Sequence, residues 1–234
     1  MANTPAQCHT HPELTGFKYP LPHLMRSLKS QRRTRIVAIG SSSTAGEDRV
    51  VPFPARLEFL LRKRYRDSMI DVLNRGLSGQ EAPSELSRFE SDVIAEAPAL
   101  VIWQVGTNAV YRKESFDLPQ VAESISTGLA WLAGLPMDVV LLDLQYVPAM
   151  IERKPVDRLR FSREMVGLIA VAAQDARVNV FRRFELMESW VHQDGIDIVN
   201  LHREGDGLHM SDWATACATQ ALSEAILNAP PSTT

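Results

Sequence analysis

Five short runs rich in Val, Ile and Leu, at residues 35–39, 70–73, 100–105, 139–144 and 178–181, alternate with longer stretches of helical periodicity. The runs show little period-two alternation, as expected for strands buried on both faces. Between them, Leu57, Leu60, Leu61 and Tyr65 form one apolar stripe at helical spacing, and Leu159, Val166, Ile169 and Ala173 form another. Ala214, Ala218, Leu222 and Ala225 form a third. Strands that alternate with helices predict an α/β fold, a three-layer α/β/α sandwich around a parallel sheet of about five strands. The 234 residues suit one such domain, since length over ~150 gives only about 1.6 domains. The domain is expected over residues 31–228. An irregular arm over 1–30, with Pro5, Pro12, Pro20 and Pro22, precedes it, and a frayed tail over 229–234 follows.

Composition narrows the function classes. There are 25 Lys and Arg against 28 Asp and Glu, a formal charge of −3, without the basic excess of a nucleic-acid binder. The cluster Lys29, Arg32, Arg33 and Arg35 reads as a solvated lead-in to the first strand. No apolar run approaches the ~20 residues of a membrane-spanning helix, and the first thirty residues carry no apolar signal core. Two cysteines, Cys8 and Cys217, are too few for a disulfide scaffold but allow one bridge. Cys8, His9 and His11 place potential zinc ligands in one short run; in a flexible arm such a run is expected to be incidental, and no metal or cofactor is expected.

In doubly wound sheets, ligands sit beyond the carboxyl ends of the strands, so the loops there hold the candidate site. After the first strand comes Gly40-Ser41-Ser42-Ser43-Thr44-Ala45-Gly46. A phosphate loop would need Lys and Ser or Thr after its second glycine, but Glu47 and Asp48 follow. The Gly-x-Ser-x-Gly elbow fails as well, because Thr44 stands at its second glycine. A hydroxyl-rich turn remains, suited to presenting a serine. After the second strand, Asn74-Arg75-Gly76-Leu77-Ser78-Gly79-Gln80 holds two glycines that let backbone approach a ligand or simply make a turn. After the third strand, Gly106-Thr107-Asn108-Ala109 offers a side-chain amide, or a helix cap. Before the last helix, Gly205 and Gly207 flank Asp206 in a loop, three residues ahead of His209. His202, Asp206 and His209 could suggest metal ligands, but the glycines argue against a helical ligand face. A carboxylate there can instead fix an imidazole's tautomer and orientation.

Together, in this order and context, the four segments resemble the SGNH, or GDSL-type, hydrolase superfamily. The resemblance spans residues 40–209 and implies a flavodoxin-like sandwich. The family's Gly-Asp-Ser-x-x-x-Gly falls on residues 40–46, which makes Ser42 the nucleophile. Its block II glycine falls on Gly79 and its Gly-x-Asn on Gly106-Thr107-Asn108. Its Asp-x-x-His falls on Asp206 and His209. Two positions depart: Ser41 stands where the family has aspartate, and Ala109 where block III often continues with aspartate.

The chemistry implied is nucleophilic. A serine hydroxyl needs an adjacent base; His209 is expected to take the Ser42 proton and return it to the leaving alcohol, with Asp206 holding the ring. Gly79 N–H, the Asn108 amide and the Ser42 N–H are expected to form the oxyanion hole. The expected activity is hydrolysis of short-chain carboxylic esters, including O-acetyl groups on carbohydrate, through an acyl-serine. O-acyl transfer by the same triad and a non-catalytic carbohydrate-binding relative are the alternatives. No long apolar lid segment is visible to shelter a fatty chain. Trp103, Trp190 and Trp213 are expected mainly in the core, and Tyr111, just past the Asn108 loop, is the pocket candidate. A Cys8–Cys217 disulfide would pin the arm beside the last helix. It would imply a periplasmic or secreted protein whose signal peptide has been removed, whereas free thiols would imply the cytoplasm.

Overall fold

The computed structural model describes residues 7–30, 33–46 and 49–232. Pro5, Arg32, Glu47, Asp48, Thr233 and Thr234 lie outside the described residues. Five parallel strands, β1 (Arg33–Gly40), β2 (Met69–Gly76), β3 (Leu100–Gln104), β4 (Asp138–Leu142) and β5 (Asn179–Phe181), form one sheet in the order β2-β1-β3-β4-β5. This is the flavodoxin-like order, with its switch point between β1 and β3. Right-handed crossovers then send the β1–β2 helix to one face and the later crossover helices to the other. Accordingly, the helix Phe53–Arg64 packs with Asp212–Leu227, and Leu118–Leu132 packs with Arg158–Ala176.

Every residue of β3 and β4 is buried, as the apolar runs require. Leu57 and Leu61 are fully buried, as are Ile169 and Ala214, so the three stripes face the sheet. All five strands differ from the sequence reading at one end or more, and two of these differences bear on the site. β2 runs on through Asn74, Arg75 and Gly76, which pair with Ala38, Ile39 and Gly40, so the glycine loop begins only at Leu77. β4 ends at Leu142 rather than at 144, and the Asp143 side chain just beyond it accepts the Phe184 N–H. Gly76 is where β2 touches the turn that holds Ser42: a Cβ there would lie 2.1 Å from the Ala45 nitrogen.

The arm is more ordered than expected. Pro12–Thr15 and Pro22–Ser30 are helical, and the second buries Leu24 and Leu28. A proline at the first helical turn loses no hydrogen bond and is pre-set for the helix. Cys8 and Cys217 form a disulfide that ties the arm to the last long helix.

Candidate active site

Gly40 ends β1, and Ser41 precedes a single helical turn, Ser42–Ala45. The turn raises the Ser42 hydroxyl above the carboxyl edge of the sheet, at the β1/β3 switch point. Ser42 Oγ lies 3.0 Å from His209 Nε2, and His209 Nδ1 lies 2.7 Å from Asp206 Oδ2. The other Asp206 oxygen accepts the N–H groups of Leu208 at 2.6 Å and His209 at 2.8 Å. The Arg203 guanidinium stands 3.5 Å from Oδ2. Desolvation opposes ionisation of Asp206, but these N–H groups and the imidazole outweigh it and hold its carboxyl below the usual value. The Asp206–His209 spacing works because residues 203–209 form a tight turn closed by the Arg203 N–H to the His209 carbonyl. His202 points elsewhere, its Nδ1 on the Arg203 carbonyl at 2.8 Å.

The three expected oxyanion donors come from loops that the structure ties together. The Leu77 N–H donates to the Gly40 carbonyl, and Asn108 Nδ2 donates to the Gln80 carbonyl at 2.7 Å. Gly79 has φ +81°, a conformation that L side chains rarely adopt, and the Arg112 guanidinium lies over it. Asn108 sits in the first turn of the Thr107–Tyr111 helix, buried at 5% exposure.

Beneath these residues runs a polar layer that single motifs do not reveal. Glu81 is buried and accepts the N–H groups of Gly106 at 2.8 Å, Ala109 at 3.0 Å and Ala82 at 3.1 Å. It thereby sets the loop that carries Asn108. Burial pushes the Glu81 carboxyl up, against these three donors. Burial, with Glu81 second, pushes neighbouring Glu85 well above the ordinary range. Ser41, 1% exposed, directs both its N–H and its hydroxyl at Gln104 Oε1, at 3.0 and 2.8 Å. Gln104 reaches Thr107 at 3.4 Å, Thr107 Oγ1 donates to Gln145 Oε1 at 3.0 Å, and Gln145 Nε2 donates to the Leu208 carbonyl at 3.2 Å. Ser41, where the GDSL pattern has aspartate, is thus the first member of a chain that joins the serine, asparagine and histidine loops. In sequence, only the position of Glu81 beside Gly79-Gln80 signals any of this.

A small cavity of about 40 Å³ adjoins Ser42 and His209, walled by Phe53, Leu142, Phe181, Met210 and Leu222 among others. Tyr111 is not in that wall; it lies partly buried beneath the Arg158 guanidinium, 5.6 Å from its ring centre. Trp103 and Trp190 are fully buried, and the Trp213 ring packs against Trp190 at a 60° tilt, centroids 5.3 Å apart.

Comparison with known proteins agrees with this architecture. The crystal structure of Axe2, an acetylxylan esterase from Geobacillus stearothermophilus, superposes with a TM-score of 0.70 at 21% identity, over 82% of this chain and 94% of that one. LAE5, an alpha/beta hydrolase enzyme from the metagenome of Lake Arreo, superposes with a TM-score of 0.69 at 19% identity, over 85% and 97%. At these identities the likeness is one of fold. A curated acetylxylan esterase from Geobacillus stearothermophilus is 39% identical over 64 residues. That segment is 27% of this chain and spans only 28% of the relative's length. The family described as non-GDSL lipase-like matches residues 7–230, nearly the whole chain. The chain belongs to the non-GDSL lipase-like family.

Proposed function

We propose that this chain is a serine esterase that removes short acyl groups, including acetyl groups on carbohydrate, through an acyl-serine. The observation that carries this reading is the unbroken chain from Ser42 Oγ through the His209 ring to Asp206. In the acylation step, His209 Nε2 takes the Ser42 proton as Oγ attacks the ester carbonyl. The carbonyl π pair moves onto oxygen, which the Ser42 and Gly79 N–H groups and the Asn108 amide receive. Collapse breaks the bond to the leaving alcohol, which accepts the proton from His209. Water then attacks the acyl-serine by the same route in reverse, and Asp206 stabilises the imidazolium formed in each half.

Two further observations bear on the substrate. The cavity beside Ser42 is about 40 Å³ and mainly apolar, with Arg183, Thr215 and Thr219 among its polar lining. A site this small beside the serine favours a short acyl group. Three Axe2 structures are of catalytic mutants in which a serine, an aspartate or a histidine becomes alanine, the aspartate three positions before the histidine. The same three residue types, with the same aspartate-to-histidine spacing, stand here as Ser42, Asp206 and His209. A disulfide persists in oxidising surroundings, so the Cys8–Cys217 bridge supports a periplasmic or extracellular site of action for the enzyme.

The test is hydrolysis of p-nitrophenyl esters of increasing chain length and of acetylated xylo-oligosaccharide, comparing the wild type with Ser42→Ala. Activity should be greatest with acetyl and fall by at least about 10³-fold in the variant, which should also lose labelling by a phosphonate serine probe. Full esterase activity in pure Ser42→Ala would overturn the reading. Acyl transfer would show as acetylated acceptor in place of free acetate.

A further inference from the structure

We propose that His9, His11 and Asp194 form a binding site for a divalent transition-metal ion of the zinc class, fastening the N-terminal arm to the domain. The three residues are brought together across more than 180 positions of sequence. Asp194 Oδ1 lies 3.1 Å from His9 Nδ1, and Asp194 Oδ2 lies 2.8 Å from His11 Nε2. The three ligand atoms all fall within 4.8 Å of one another. Donors on a tetrahedral zinc ion, at ~2.0–2.1 Å from the metal, stand about 3.3 Å apart, so small shifts make room for the ion.

The surroundings of His11 call for a cation. Its Nδ1 faces Glu13 Oε1 at 2.9 Å while its Nε2 faces Asp194. A neutral imidazole has one N–H, so a second proton or a metal ion must stand between one ring nitrogen and its carboxylate. With the ion on Nε2, the Nδ1–H to Glu13 becomes the outer carboxylate contact that metal-binding histidines almost always make. His11 also holds a left-handed backbone, φ 43° and ψ 64°, rare for a residue with a side chain.

The site is framed before any ion arrives. The Cys8–Cys217 disulfide fixes the residue before His9, and the Trp190 indole N–H donates to the His9 carbonyl at 2.7 Å. Thr15 Oγ1 donates to the His11 carbonyl at 3.1 Å. The His11 and Asp194 side chains are 12% and 13% exposed and that of His9 is 47% exposed, which leaves an entry path and room for water as a further ligand. The disulfide removes the Cys8 thiolate from the ligand set. Two imidazoles and one carboxylate remain, a set that selects zinc, nickel or copper over calcium or magnesium. The sequence reading, which dismissed Cys8, His9 and His11 as incidental, lacked Asp194.

The experiment titrates Zn²⁺ into untagged, disulfide-intact protein that has first been stripped with a chelator, by calorimetry. One ion should bind per chain, with a dissociation constant of micromolar or below. Co²⁺ in its place should give the intense visible bands of a four-coordinate ion, which Zn²⁺ then abolishes. His11→Gln and Asp194→Asn should each weaken Zn²⁺ binding more than tenfold. Glu13→Gln alters an exposed residue that touches no ion, and should weaken it by about tenfold through the outer contact. The ester-hydrolysis rate should be the same in stripped and loaded protein, which separates this site from the Ser42 chemistry. Absence of stoichiometric Zn²⁺ binding by the folded wild type, or equal binding in all three variants, would overturn the proposal.

Discussion

At Asp206 one carboxyl oxygen fastens the loop and the other fastens the imidazole, so a single side chain sets both the turn and the ring. Asn108 divides its amide in a similar way. One N–H is committed to the Gln80 carbonyl at 2.7 Å, and the side-chain amide carries a second for a developing oxyanion. Asn108→Ala should therefore lower kcat by about 10²–10³-fold while KM changes much less. Steady-state kinetics on p-nitrophenyl acetate measure this, and a variant with unaltered kcat would remove Asn108 from the oxyanion hole. Asp206 and His209 were legible as a candidate pair because they stand three positions apart; Ser42, 167 positions from His209, was named only through the resemblance of its own loop. Glu81 and Gln104 were not legible, because their partners, Gly106 and Ser41, lie 25 and 63 positions away. Only the fold makes them neighbours.

The strands were legible as elements because a strand buried on both faces must be largely apolar, and β3 and β4 are, with Gln104 and Asp138 the polar exceptions at their ends. Their ends were harder to read, because the residues that leave the ladder are chosen for contacts made elsewhere. The helix Pro22–Ser30 was hidden for a different reason: it is only two turns long, and its prolines read as breakers. Pro22 at its start, followed by Leu24 and Leu28 at i, i+4 spacing, was the available signal. Just past β4, Gln145 shows what the end of a strand does for the site. It accepts from Thr107 and from Arg183, each at 3.0 Å, and donates to the Leu208 carbonyl, immediately before His209. Gln145→Leu fills similar volume but leaves those buried partners unsatisfied, at a cost of about 1–3 kcal/mol. Because the histidine loop loses a tether, kcat should also fall, by roughly tenfold or more. Urea denaturation and kcat measured on the same preparation check both halves. Lost stability with an unchanged kcat would mean that Gln145 holds the fold and does not position His209.

Stability of the molecule as a whole should carry the mark of Asp143, buried between β4 and the Arg183–His192 helix. Burial raises its carboxyl to about 7, against the opposing effects of the Phe184 N–H and the Arg183 charge. Arg183 is itself desolvated, its guanidinium lowered to about 10. Its Nη2 goes to the Asp143 backbone carbonyl and to Gln145, not to the Asp143 carboxylate, so burial of that carboxylate is not offset by a direct ion pair. The sign follows from proton binding. Unfolded, Asp143 releases its proton near its ordinary value of ~3.9; folded, it keeps the proton to about 7. Between those values the folded state binds more protons, so this group makes stability fall as pH rises through the window, and the contribution levels off above it. Asp143→Asn retains an oxygen for the Phe184 N–H, 3.0 Å away, and cannot ionise. The variant should match the wild type near pH 4 and exceed it at pH 8 by a margin on the order of a few kcal/mol. Subtracting the two stability profiles cancels every other titrating group. A flat difference between pH 4 and 8, in denaturant unfolding followed by tryptophan fluorescence, would show that Asp143 is ionised in the folded protein despite its burial.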